Sequence, residues 1–313
     1  MKQKIKNTII ILTSLFIIFN LISNPTLITR ITNYSLSIWV ENLIPSLFPF
    51  FVISDILISY NITTYIPKKL KKALTKLWNT SPNTISIFFL SMLSGFPSNA
   101  RNIRTYYDKN QISTKEANIT LAYTHFANPL FILSTTAIFF LHNKISGLII
   151  LTSLYLSNII LGIILRKYNP TAPNINFNTV STKSQNFGPI FVSAIKKSID
   201  TLLLILGILT TFLLLASLII NLINTNIYTE VIIKSIIEIT MGLKDLGTLS
   251  ISITHKTVLA TTIITFGGLS VHLQVISQLI GTNIKYKYFL YGRIIGSLLA
   301  LIISYILCII IGI

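Results

Sequence analysis

Two interruptions of apolar sequence, set close together, constrain this chain more than any other feature. Residues 91–131 read SMLSGFPSNARNIRTYYDKNQISTKEANITLAYTHFANPLF. One apolar run, 85–93, stops at Ser94-Gly95-Phe96-Pro97-Ser98-Asn99, and a second breaks at His125-Phe126-Ala127-Asn128-Pro129. A helix broken at membrane depth leaves backbone N–H and C=O groups unpaired, which is tolerated only against protein, water or a ligand. Two such breaks mark a candidate binding site of the kind that secondary transporters build from discontinuous helices. The same residues also fit a plain kink, with Ser94-Gly95 as small-residue packing between helices.

Composition puts these breaks in a membrane. Of 313 residues, 52% are hydrophobic and 11% charged, against roughly 25% charged in soluble domains. The net charge of +17 does not indicate nucleic acid, because the basic residues sit in short loops between apolar spans, as topology determinants do. No RNP, zinc-knuckle or aromatic-interleaved basic module is present, so no nucleic-acid partner is expected. Cys308 is the only cysteine and supports neither a disulfide nor a thiolate metal site within one chain. The four scattered histidines have no metal-ligand spacing. Neither a metal nor a cofactor is expected. The nucleotide-binding and hydrolase fingerprints are absent, and the chain is expected not to be an enzyme.

The apolar spans order the chain into parts. Residues 1–34 hold an N-terminal span with its basic end in the cytoplasm; 35–165 form a first repeat plus a connecting span; 166–188 are a polar linker; 189–313 form a second repeat and a C-terminal span. The second span, 35–60, carries Glu41, Pro45, Pro49 and Asp55. The piece 85–97 is too short to cross easily, since about 20 apolar residues are needed. It lies between two basic loops, 61–80 and 98–116, and is expected to be a re-entrant hairpin. A weaker apolar segment at 231–250, holding Glu238, Thr240, Gly242 and Asp245, suits a second hairpin. Residues 257–281 cross with Phe266-Gly267-Gly268-Leu269-Ser270 midway, and 290–312 cross last.

With both hairpins re-entrant, all of the 25 Lys and Arg except Arg30, Lys144, Lys234, Lys244 and Lys256 fall on the cytoplasmic side, as the positive-inside rule demands. Each half then reads span, hairpin, broken span, from opposite faces. The expected fold is an all-α polytopic membrane protein with an inverted repeat and two re-entrant helical hairpins. Sites in such folds lie between the repeats near the midplane.

The chemistry at the breaks is polar. A helix restarting at Pro97 needs no N–H partner there; Ser98 and Asn99 follow in its first turn, and Ser94 can cap nearby groups. Free N–H groups and the helix dipole attract an anion. Gly267-Gly268 lets backbone approach a ligand, Ser270 adds a hydroxyl, and Asn128, before Pro129, offers both a donor and an acceptor. Candidate substrate-binding residues are therefore Ser94, Gly95, Pro97, Ser98, Asn99, Asn128, Pro129, Gly267, Gly268 and Ser270, for a small polar or anionic molecule. Intramembrane acids are by default proton or cation sites, which makes Glu238, Glu41 and the neighbouring Thr240 candidates for coupling. Glu41, beside Trp39, also fits an interface location, as do Asp55, Asp200 and Asp245. His125 and His272 each lie beside a break and fit either a proton shuttle or a hydrogen-bonded packing role.

These stretches carry a family resemblance. Ser94-Gly95-Phe96-Pro97, the segment to Tyr107, Ile112-Ser113-Thr114-Lys115-Glu116-Ala117 and Asn128-Pro129-Leu130-Phe131 resemble the nucleoside-recognition (Gate) domain. Phe266-Gly267-Gly268-Leu269-Ser270-Val271-His272-Leu273-Gln274-Val275, then 288–293, 41–51 and Glu238-Ile239-Thr240-Met241-Gly242, are similar to sporulation integral membrane proteins of the YlbJ (SpoVV) type. The chain departs from the Gate pattern near Ser98-Asn99, at 124–129 and at Leu206-Gly207. The resemblance implies a fold like that of concentrative nucleoside transporters, in the bacterial cell membrane or the outer forespore membrane. It also implies transport of dipicolinic acid, a small aromatic dianion, during endospore formation. Its expected partners are that substrate, lipid, and further copies of the chain or other sporulation membrane proteins. A nucleoside or cation transporter of the wider class, and a non-transporting sporulation scaffold, stand as alternatives.

Overall fold

Fourteen α-helices account for most of the described residues, which are 2–169, 186–223 and 225–313 of this computed structural model; no strand occurs among them. In chain order they are α1 (Lys2–Ser23), α2 (Pro25–Ile38), α3 (Ile44–Ser59), α4 (Lys68–Trp78), α5 (Pro82–Ser94), α6 (Ser98–Asp108), α7 (Thr114–Tyr123), α8 (Lys144–Leu165), α9 (Phe187–Leu222), α10 (Ile227–Ile237), α11 (Ile239–Thr248), α12 (Ile253–Phe266), α13 (Leu269–Leu279) and α14 (Tyr286–Ile311). Five stretches are long and apolar enough to cross a membrane: Pro25–Ser59, Lys144–Tyr168, Phe187–Leu222, Ile253–Leu279 and Tyr286–Ile311.

Sequence punctuation sets the helix ends. Ser81, Ser113, Asn143, Asn226 and Ser252 each accept a backbone N–H at the start of their helix, satisfying donors that a helix cannot pair internally. Gly267 ends α12 in the left-handed conformation, where a Cβ would be strained. The second expected span is longer than 35–60: α2, a π-helical turn (Trp39–Leu43) and α3 form one stretch beginning at Pro25. The wider turn ends just before Pro45, whose ring has no N–H to give the ladder.

Two pairs of short helices fold back on each other. α5 packs against α6, and α10 against α11. With 13 residues in α5, 11 in α6 and α10 and 10 in α11, each is roughly 15–20 Å long at 1.5 Å per residue, well short of a hydrocarbon core of about 30 Å. Around them stand two groups of longer helices. α14 packs along α12, α8 and α7, while α9 packs along α3 and α2. A π-helical segment (Phe131–Phe140) follows the α7 break and packs on α8 and α11.

The segment 98–116 is not a basic loop throughout, since it opens with α6, whose Ser98–Ile103 turns are buried. Arg101 points inward because it has a partner, Asp55, at 2.5 Å. Of the expected linker 166–188, residues 170–185 lie outside the described residues.

Candidate functional site

The breaks converge on one cavity. A space of about 30 Å³ is lined by Phe96 from the α5–α6 turn, Asn128 and Phe131 from the break after α7, Glu238, Ile239 and Thr240 from the α10–α11 turn, and Val271 and Gln274 from α13. Ser46, Leu47, Ile205 and Leu209 of α3 and α9 close it. Such a volume holds a water molecule or two, so the site is closed in this conformation.

The first turn is built tightly. Gly95 has φ +77°, and a Cβ there would lie 2.5 Å from the backbone nitrogen of Asn128, so only glycine allows the hairpin tip to meet the broken helix. Asn128 then ties three backbones together. Its Nδ2 donates to the Ser46 carbonyl at 2.7 Å and lies 3.4 Å from the carbonyls of Leu93 and Ser94, while its Oδ1 accepts from Leu130 N–H at 2.8 Å. Ser94 and Ser98 share a 2.9 Å hydroxyl contact, and Ser94 donates to the Leu90 carbonyl. Ser94 thus turns back into α5 and does not cap α6. α6 begins at Ser98 with Pro97 at its N-cap, one position later than a restart at Pro97 itself. Asn99 is fully buried, with its Oδ1 3.4 Å from His125 Nδ1 and its Nδ2 without a partner among the described residues.

The second turn carries a carboxylate. Glu238 is 2% exposed and joins α10 to α11. It accepts from Thr240 N–H at 2.8 Å, Met241 N–H at 3.1 Å and the Thr240 hydroxyl at 3.1 Å. The acid therefore caps α11, where the helix dipole favours a negative group. No Lys, Arg or His lies within ion-pair distance of it among the described residues.

A second polar layer lies behind Phe96. The Phe96 ring stacks on His125 at 5.4 Å, and Phe289 meets both His125 and His272 edge-on at 4.9 and 5.0 Å. His272 Nε2 is 3.1 Å from the Phe266 carbonyl, and Nδ1 is 2.6 Å from the Tyr286 hydroxyl. Nε2 must carry the proton to donate to the carbonyl, leaving Nδ1 to accept. Both nitrogens are thus engaged in holding the break. Arg293, fully buried, and Asn158 complete this layer; Arg293, counted from the sequence among the cations of the cytoplasmic side, is turned into the protein within α14 instead of lying in water.

Glu41 is exposed on the π-helical turn and does not line the cavity, so the structure does not bring it to the other candidates. Pro129 adjoins Asn128 but is not a lining residue; Gly267 lies beside His125, Gly268 against α10, and Ser270 is buried with its hydroxyl unpartnered among the described residues, and none of the three lines the cavity. Residues not picked out as site candidates include Ser46, Gln274, Asn158 and Arg293. Asp55, for which an interface location was open, is 7% exposed and paired with Arg101, whose guanidinium sits over the Phe51 ring at 5.0 Å. Beyond that pair lies a more open recess of about 310 Å³, lined by Arg101, Arg104, Lys197, Asp200 and Gln278. It and the closed cavity share α9 and α13, at successive turns.

No protein-family model and no solved structure matches the chain. The chain is similar to the sporulation integral membrane protein YlbJ of Bacillus subtilis (strain 168), at 26% identity over 337 aligned positions that cover 95% of this chain and 82% of that protein. Together with its five long apolar helices, this identifies a multi-pass membrane protein.

Proposed function

We propose that this chain, a membrane protein of the YlbJ type, moves a small anionic solute across the membrane by alternating access, with dipicolinate as the substrate that its kinship to a sporulation protein favours. In this reading α5–α6 and α10–α11 are re-entrant hairpins of an inverted repeat, entering from opposite faces as in the Gate-type architecture. The observation that carries it is the shared cavity: both hairpin turns and both broken helices contribute to its wall. A scaffold has no need of a cavity walled by four interrupted elements, with Asn128, Glu238, Thr240 and Gln274 set into an otherwise largely apolar lining.

Charge then shapes the cycle. An anion beside an ionised Glu238 would be repelled by about 3 kcal/mol at ~5 Å and an effective dielectric of ~20. The anion therefore enters with a proton on Glu238, and transport is coupled to protons. The closed cavity is too small for an aromatic dicarboxylate and opens as the hairpins part. Purified protein in liposomes should take up labelled dipicolinate, with uptake lost in Asn128→Ala and Glu238→Gln; unchanged uptake in both variants would refute these roles. A second reading, transport of a cation, is favoured by the same unpaired carboxylate. Competition separates the two: inhibition by cationic solutes but not by dicarboxylates would favour it.

A further inference from the structure

The layer behind the cavity contains a charge that the transport cycle above leaves unused. Arg293 is 0% exposed, two turns into α14. Its Nη1 donates to the Thr265 carbonyl at 3.1 Å, and its Nη2 to the Ala122 carbonyl at 2.7 Å and to Asn158 Oδ1 at 3.1 Å. Its Cζ lies over the Phe289 ring, 5.6 Å from the centroid. No carboxylate pairs with it among the described residues.

The acceptors show what this cation does. Ala122 is in the last turn of α7 and Thr265 in the last turn of α12. These are the two helices that break, one in each half of the chain. The last carbonyls of a helix lack internal partners and form the negative end of its dipole. Two such ends facing one point make a cation site, and in discontinuous-helix transporters such ends coordinate Na⁺. Here a guanidinium, which keeps its proton at neutral pH, occupies that point. Asn158 completes the set: its Oδ1 accepts from Arg293 while its Nδ2 donates at 2.8 Å to the carbonyl of His125, inside the first break. Gly292 makes the reach feasible, because α14 crosses α7 so closely that a Cβ there would lie 2.2 Å from the Ala122 oxygen.

We propose that Arg293 is a resident cation that joins the ends of the two broken helices, taking the place of a bound alkali-metal ion. This deepens the transport reading and rests on it for one consequence: the junction is a fixed element of the cycle and couples to no Na⁺ or K⁺. The test uses the full-length protein in detergent, with thermal unfolding followed in NaCl, KCl or choline chloride at equal ionic strength. Wild type and Arg293→Lys should unfold at the same temperature in all three salts. Arg293→Ala should unfold at lower temperature in choline and be partly restored by NaCl or KCl, as alkali ions enter the vacated carbonyl site. A saturable rise of wild-type stability with Na⁺ would overturn the proposal, and so would an Arg293→Ala protein no more responsive to alkali ions than wild type. If Arg293→Ala does not fold, the wild-type and Arg293→Lys titrations still decide. Uptake by wild type that requires Na⁺ would sink the resident cation while leaving transport standing; absence of any uptake would sink transport while leaving the thermal result valid.

Discussion

The two hairpin turns solve one problem in different ways. Each must reverse the chain beside the cavity without stranding backbone groups. The α5–α6 turn is neutral and held from outside: Gly95 lets it press on the Asn128 backbone, and the Asn128 side chain spans Ser46, Leu93, Ser94 and Leu130. The α10–α11 turn is acidic and held from within, by Glu238 capping its own helix and by Gly242 lying against Ser235, where a Cβ would meet the serine Cα at 2.5 Å. The contrast separates anchoring from chemistry. The first turn is clamped to the broken helix, whereas the second presents a titratable group to the cavity.

That contrast can be broken by substitution. The largest stability loss is expected for Gly95→Ala, which adds a side chain at positive φ and into backbone at once; about 3 kcal/mol or more should be lost, read as a drop in unfolding temperature. Asn128→Ala comes next, at about 2–3 kcal/mol, because it leaves a buried carbonyl and N–H unpaired. Glu238→Gln should change stability by less than about 1 kcal/mol, since an amide oxygen can still cap α11, yet abolish uptake and its response to an imposed proton gradient. Ser94→Ala should be mildest, at about 1 kcal/mol or less, because its hydroxyl bonds only to α5 and Ser98. If Glu238→Gln proved the more destabilising of the pair with Asn128→Ala, the division between anchor and chemistry would fail.

Much of this was legible in the chain. Gly, Pro and Asn clusters are strong local signals, and the breaks at Gly95, Asn128, Glu238 and Gly267 fall where those residues, or an acid among apolar neighbours, announce them. Charge was harder to read. Arg101 and Arg293 were counted with the loop cations because basic residues in a membrane protein usually sit in water, whereas burial of either depends on an acceptor distant in sequence: Asp55 for one, the carbonyls of Ala122 and Thr265 for the other. A local hint did exist for Arg293, which lies between Gly292 and Gly296 in a helix otherwise rich in isoleucine and leucine. Small residues on such a helix signal a close crossing, and an arginine there faces protein. For Glu41 both a coupling role and an interface location stood open, since nothing nearby in sequence tells which side of a π turn faces lipid or water.

The central claim is that the two hairpins enter from opposite faces and meet at one site. With Cys308→Ala removing the only thiol, single cysteines at Lys109, just past α6, and at Ser250, just past α11, are both exposed positions that report the base of each hairpin. Labelling with a membrane-impermeant maleimide in right-side-out and inside-out vesicles should modify Lys109→Cys only from the cytoplasmic face and Ser250→Cys only from the opposite one. Modification of both from the same face would contradict the inverted arrangement.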